Sequence, residues 1–195
     1  MTTASDNFNR ANETPIASPW ATTIGGGANL ATNALTSVST IDKRSHYTGA
    51  WADDHESSGT VGNLATSSQY AILTVRADAG GNCFGVYTDG VSGAGHTEFD
   101  RWTLGVQTTL NAIATTFVNG DLMRLTVTGQ IPAITLTAYK WVAGAWSQVG
   151  QQTGIAVGPA SGDPGAGAYG VATLDDWNGT DGGGGGSTLL GQACV

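Results

Sequence analysis

Charge is scarce in this chain, and basic charge scarcer still. Only 11% of its 195 residues are charged, with 7 basic against 15 acidic side chains and a formal net charge of −8. The basic residues Arg10, Lys43, Arg44, Arg76, Arg101, Arg124 and Lys140 are scattered, and only Lys43 and Arg44 are adjacent. A groove that tracks phosphates needs a basic stripe, so nucleic acid is not an expected partner. No apolar run approaches the roughly 18 residues of a membrane span, so a membrane is not expected either. No long window repeats apolar residues at helical spacing, which predicts almost no helix. Met1-Thr2-Thr3-Ala4-Ser5-Asp6 has neither the basic start nor the apolar stretch of a secretory signal.

Reactive groups are equally sparse. The two cysteines, Cys83 and Cys194, either pair, tying the end of the chain to its body, or stand as a buried thiol and a free terminal one. His46, His55 and His96 lack zinc-ligand spacing. No serine sits in a nucleophile elbow, and there is no phosphate loop or dinucleotide motif.

What the chain has in quantity is glycine, 30 residues of it, with many Thr, Ser and Ala, a composition of strands and turns. At this length a single domain buries roughly 70% of its unfolded surface and needs no staples. The clearest signal is Leu122–Val149. Met123, Leu125 and Val127 alternate with Arg124, Thr126 and Thr128, so the first set faces a core and the second faces solvent. Asn119-Gly120 precedes this strand as a tight turn. Ile134–Tyr139 alternates again, Val142–Ala145 turns, and Trp146–Val149 runs back, giving a three-stranded antiparallel meander. Tyr70–Arg76 is a further strand with Ala71, Leu73 and Val75 on one face, and Cys83–Tyr87 returns beside it. Asp6–Arg10, Asn29–Leu35, Val38–Ile41, Ser45–Trp51, Thr97–Trp102, Gly105–Thr108 and Ala112–Phe117 read as shorter strands, and Ala168–Leu174 as the last long one. The polar, acidic Ala52–Gly59 and the Gly/Pro-containing Gln151–Gly167 read as loops. Short strands at this spacing predict a two-sheet sandwich or barrel. After Asn178 the five glycines Gly182–Gly186 form a flexible spacer, and Ser187–Val195 a mildly apolar tail. The expected division is therefore a domain over 1–178 and a linker with a docking tail over 179–195.

Both ends fit a known pattern. Asp6-Asn7-Phe8-Asn9-Arg10-Ala11, with Trp20 after a proline-containing loop, resembles the opening of concanavalin A-like lectin/glucanase jelly rolls, and Tyr169-Gly170-Val171 followed by Leu174-Asp175-Asp176-Trp177 resembles their closing strand. Gln69-Tyr70-Ala71, Gly120–Leu125 and Ile134–Tyr139 fall between them in the expected order. The resemblance spans about Asp6 to Trp177. It implies an all-β jelly-roll sandwich of two curved antiparallel sheets, with first and last strands adjacent.

Glucanases of this fold carry Glu-x-Asp-x-Glu, or a form one residue longer, on one strand. Glu98-Phe99-Asp100-Arg101-Trp102-Thr103 starts that pattern, but Trp and Thr stand where the second glutamate belongs. A retaining hydrolase needs two carboxyl groups, so a non-catalytic protein is expected. Aromatic rings can instead stack on sugar faces while nearby acids and amides meet the hydroxyls. Trp102 beside Glu98 and Asp100 is the leading candidate, with Trp51 and Tyr87; Tyr139, Trp141 and Trp146 are further rings, and any of these could equally fill the core. Asp53-Asp54-His55-Glu56 makes a poor cation cage, because neighbours in an extended segment point apart. Asp6 would meet Asp175 or Asp176 where the terminal strands pair, a candidate for structural calcium. No other cofactor is expected.

Proteins of this type commonly work outside cells, and phage virion proteins reach that location without an export signal. The expectation is a virion surface protein, a capsid decoration, head fibre or tail attachment part. It would be made in the host cytoplasm, bound to other virion proteins through its tail, capable of homo-oligomer contacts, and able to bind a glycan. A stand-alone extracellular carbohydrate-binding module and a glycan hydrolase or lyase are the alternatives.

Overall fold

Period-2 alternation is realised in fifteen strands and, among the described residues, no helix. The computed structural model describes residues 1–37, 39–64, 69–91 and 96–181. The strands are β1 Thr3–Asp6, β2 Trp20–Ile24, β3 Asn29–Ala31, β4 Ala34–Thr36, β5 Ser39–Tyr47, β6 His55–Gly62, β7 Tyr70–Ala77 and β8 Cys83–Thr88. They continue as β9 Thr97–Thr103, β10 Val106–Ala112, β11 Leu122–Thr128, β12 Ile134–Val142, β13 Ala145–Ile155, β14 Asp163–Gly170 and β15 Thr173–Asp181. One sheet has the order β13-β12-β11-β6-β15-β4-β3, with β1 also paired to β15; the other is β10-β9-β8-β7-β14-β5-β2. All pairings are antiparallel.

The inner faces share one core. Met123, Leu125 and Val127 of β11 and Leu136 and Ala138 of β12 meet Ala71, Leu73 and Val75 of β7, with Phe84, Val86 and Phe99. The expected register of the meander therefore holds, and so does the adjacency of the chain ends, since Asp6 stands opposite Trp177.

Other expectations are corrected. The segment Ala52–Gly59 is not an exposed loop: β6 lies between β11 and β15 and is almost wholly buried. Before Val61, which joins the core, its inward residues are polar or small, and the polar ones are satisfied. Ser57 Oγ donates to Gly165 O at 2.8 Å and accepts from Trp177 Nε1 at 2.8 Å, and His55 Nε2 accepts from Arg76 N–H at 2.9 Å. A Cβ on Gly59 would stand 2.5 Å from Leu174 Cδ2, so that glycine makes room for β15. Gln151–Gly167 is mostly strand, as the end of β13 and the start of β14. The closing strand divides at Val171-Ala172 into β14 and β15, which belong to different sheets. At the other end the strand is Thr3–Asp6, and Phe8 takes a positive φ of 55° in the turn that follows. Beyond Ala112 the run to Phe117 is not strand. Arg124 is 8% exposed rather than solvent-facing. β15 pairs through Asp181, three residues past the expected domain end, and the glycine spacer and tail lie outside the described residues. Cys83 is a free, fully buried thiol, pushed up to about 11 mainly by burial; Cys194 lies outside the described residues.

Candidate functional site

Side chains of the seven-stranded sheet that alternate with the core residues form its outer face. Tyr169 of β14 stands opposite Tyr70 of β7, Ile72 opposite Tyr87 of β8, and Tyr87 opposite Glu98 of β9. Three tyrosines thus line up across three strands. Tyr169 and Tyr70 stack with centroids 4.7 Å apart and planes 8° from parallel; Tyr70 and Tyr87 are 5.1 Å apart at 40°. All three are half-buried, each with part of the ring in solvent.

The row ends on two carboxylates. Tyr87 is hydrogen-bonded to Glu98, and burial followed by the Glu98 charge pushes its phenol well above the ordinary range. Burial likewise raises Tyr70 to about 12, so the phenols stay neutral donors. Thr109 Oγ1 donates to Glu98 Oε2 at 3.0 Å and Gln107 Nε2 to Asp100 Oδ2 at 2.9 Å, both from β10. Asp100 is fully buried, and its Oδ1 has no partner among the described residues. Burial, with the Glu98 charge added, raises its carboxyl to about 7, although the hydrogen bond from Gln107 pulls it down.

Glycines let the next residues lie flat. A Cβ on Gly85 would stand 2.9 Å from Trp102 Cζ3, and one on Gly167 would stand 2.6 Å from Arg44 Cγ. The Trp102 indole therefore extends over β8, and the Arg44 guanidinium reaches across β14 to rest 3.4 Å from its ring centroid. Arg44 Nε donates to Asp42 Oδ1 at 3.0 Å, and a second guanidinium nitrogen pairs with Asp42 Oδ2. Burial raises the Asp42 carboxyl despite that partner.

These positions correct part of the predicted site. Trp102 is 2% exposed with Arg44 on its face, so its ring cannot stack on a sugar. Trp51 is elsewhere, packed edge-on against Tyr47 and donating to Tyr47 O at 2.9 Å, while Tyr47 in turn packs on Trp20 and Trp177. Tyr87, Glu98 and Asp100 come together. Tyr70, Tyr169, Arg44 and Asp42 join them and were missed. The signal for Tyr169 was the alternation Gly165-x-Gly167-x-Tyr169, whose two glycines fell in the stretch read as a loop while Tyr169 fell in the strand after it.

The calcium candidates do not fit a cation. Asp6 Oδ1 accepts from Arg10 at 2.6 Å and from Phe8 N–H at 2.8 Å, and Oδ2 accepts from Trp20 Nε1 at 2.8 Å. Asp176 is exposed, and Asp175 caps the Asp176 N–H at 2.8 Å. A pocket of about 260 Å³ touches Asp6 and Asp176, but no metal-binding group of three His, Cys, Asp or Glu occurs among the described residues.

The arrangement can offer ring edges, phenol hydroxyls and the Glu98 carboxylate to a polyhydroxyl ligand. Where a glucanase has its second glutamate, this sheet has Trp102 under Arg44. The fold is a concanavalin A-like, lectin-type jelly roll. The chain matches no protein-family model and no curated protein. Among solved structures it is similar to the carbohydrate-binding module CBM66 from Bacillus subtilis, with 13% identity and TM-score 0.58 over 83% of this chain and 96% of that one. It is similar to lectin II from Ulex europaeus, with 13% identity and TM-score 0.52 over 92% and 97%. It is also similar to the CBM2 module of the evolved Dit of Lactobacillus casei BL23 phage J-1, with 10% identity and TM-score 0.52 over 90% and 93%.

Proposed function

We propose that this protein is a non-catalytic, glycan-binding jelly roll displayed on a virion surface, and that it binds sugar through the outer face of the seven-stranded sheet. The observation that carries the reading is the unbroken row Tyr169-Tyr70-Tyr87-Glu98, with the unpartnered Asp100 oxygen beside it. Because Tyr169 and Tyr70 stack on each other, the row meets a pyranose with ring edges and phenol hydroxyls, and the Glu98 carboxylate accepts from its hydroxyls. The likeness to a module of a phage Dit supports the virion setting, in which other virion proteins and further copies of this chain are its neighbours. A stand-alone binding module would use the same face free of any particle.

A glycan array with the parent protein and Tyr87→Ala tests the site. Saturable binding that falls about tenfold or more in the variant supports it; undiminished binding removes it. Recovery of the protein with purified particles tests the virion setting, and its absence from them favours the stand-alone module.

One observation favours a hydrolase: Glu98 and Asp100 project from one face, and Asp100 titrates near neutrality. Release of reducing ends by the parent protein, lost in Glu98→Gln, would establish turnover.

A further inference from the structure

The outer face of the eight-stranded sheet carries a second set of rings. Trp141 of β12 stands opposite Trp146 of β13, Tyr139 opposite Gln148, and Arg124 of β11 opposite Tyr139. All of them point away from Leu136, Ala138 and Leu125, which lie in the core. Trp141 and Trp146 meet edge to face, 5.2 Å apart at 78°. The Arg124 guanidinium is 4.2 Å from the Tyr139 ring centroid and 4.5 Å from that of Trp146.

Arg124 is 8% exposed, yet its Nε has no hydrogen-bond partner among the described residues. Its acidic neighbour Glu56 is 3.6 Å from a terminal nitrogen, enough to cancel the charge but not to occupy Nε. A buried donor left unpaired is costly and is ordinarily satisfied by a ligand or by water. Both tryptophans remain half-open beside a β13 whose outward side chains include the exposed amides Gln148 and Gln151. Rings that are half-open, amides, and a guanidinium whose charge is already balanced are the components of a site for an uncharged sugar. The two sites face away from each other across the core.

We propose that Trp141, Trp146 and Tyr139, with Arg124, form a second glycan site for an uncharged pyranoside chain, independent of the tyrosine row. A protein with both sites would bridge two glycan strands.

The full chain is titrated calorimetrically with cellohexaose, xylohexaose and mannohexaose, with polygalacturonate as the charged control. Tyr87→Ala serves as the background, to silence the other face. At least one neutral hexasaccharide should still bind this variant and change its tryptophan emission. Adding Trp141→Ala should weaken that binding about tenfold or more. Gln148→Ala, at an exposed position that leaves folding untouched, should weaken it severalfold. The inference is overturned if no hexasaccharide binds the Tyr87→Ala protein, if binding survives both second substitutions, or if polygalacturonate binds more tightly than the neutral chains.

Discussion

Arg44 lies on the outer face of one sheet and Arg124 on the outer face of the other, and both guanidinium groups rest on aromatic rings. Arg44 is 1% exposed and held by Asp42 through two of its nitrogens, while the floor beneath it is cleared by Gly167. Arg124 is nearly as buried, but its acid stands off at 3.6 Å and its Nε is unpaired. On the first face the unmet group is instead an acid, the Asp100 oxygen beside the tyrosine row. Each sheet therefore retains a buried charged group with an atom that its own packing does not satisfy, near half-open rings. On the seven-stranded sheet the cation braces the surface and the acid is left over; on the eight-stranded sheet the cation is left over. Uncompensated groups of this kind lower stability and tend to occur where a ligand acts.

The comparison assumes that one core supports both faces, and the largest expected effect comes from breaking that core. Leu125 points inward from the strand whose next residue outward is Arg124, and it is fully buried. Leu125→Ala should lower unfolding stability by about 2–5 kcal/mol through lost transfer energy and the cavity left behind. Urea unfolding followed at Trp102 and at Trp146 should shift together. Separate transitions would mean that the two faces melt independently.

A second effect sharpens the contrast in unmet groups. Asp100 titrates near 7 when folded and near ~3.9 when unfolded, so between those values the folded state binds the extra proton. Its contribution to stability falls as pH rises through that window, by at most about 4 kcal/mol. His55 acts in the opposite sense. Burial holds it at about 4, below its ordinary 6.5, so its contribution is lost as pH falls through that range. The two oppose each other between about pH 4 and 6.5, where Asp163, raised by burial to about 6, acts in the same sense as Asp100. Asp100→Asn removes one arm. Its stability relative to the parent should rise from near zero at pH 4 to about 2–4 kcal/mol at pH 8, measured by urea unfolding at each pH. A difference that does not change with pH would show that Asp100 is not the titrating group.

Some of this could be read directly from residue order. Met123–Thr128 and Ile134–Tyr139 have one apolar and one polar face, and a period of two is enough to fix their register. Glu98 and Asp100 share a face for the same reason. β6 escaped because His55, Ser57 and Gly59 face the core: buried polar and small residues break the hydrophobic alternation, and only the tertiary partners Trp177, Arg76 and Leu174 explain them. The first part of β14 escaped because Gly165-Ala166-Gly167 alternates nothing with methyl groups, a pattern that composition reads as a loop. The Tyr169-Tyr70-Tyr87 row depends on the strand order β14-β7-β8, which joins residues about a hundred positions apart and has no local signature. Alternation puts Trp102 on the same face as Glu98 and Asp100, but Arg44, which comes to it from β5, covers it.

The smallest expected effect isolates what lets Arg44 lie flat. Gly167 has ordinary strand backbone, so an alanine there meets no conformational penalty, only space. Its Cβ would stand 2.4 Å from Lys43 O and 2.6 Å from Arg44 Cγ. One contact is backbone and cannot swing aside, so β5 must shift away from β14 and carry Arg44 off the Trp102 ring. Gly167→Ala should therefore lower stability by about 1–3 kcal/mol, the range for overpacking a well-filled site. The near-ultraviolet circular dichroism of Trp102 should change with it. The matched control on the other face is Gln148→Ala, an exposed substitution expected to stay within about 0.5 kcal/mol. If Gly167→Ala proves as mild as that control and leaves the Trp102 signal unchanged, then Arg44 is not held in place by the glycine beneath it. The two guanidinium groups would then differ only in how closely their acids approach.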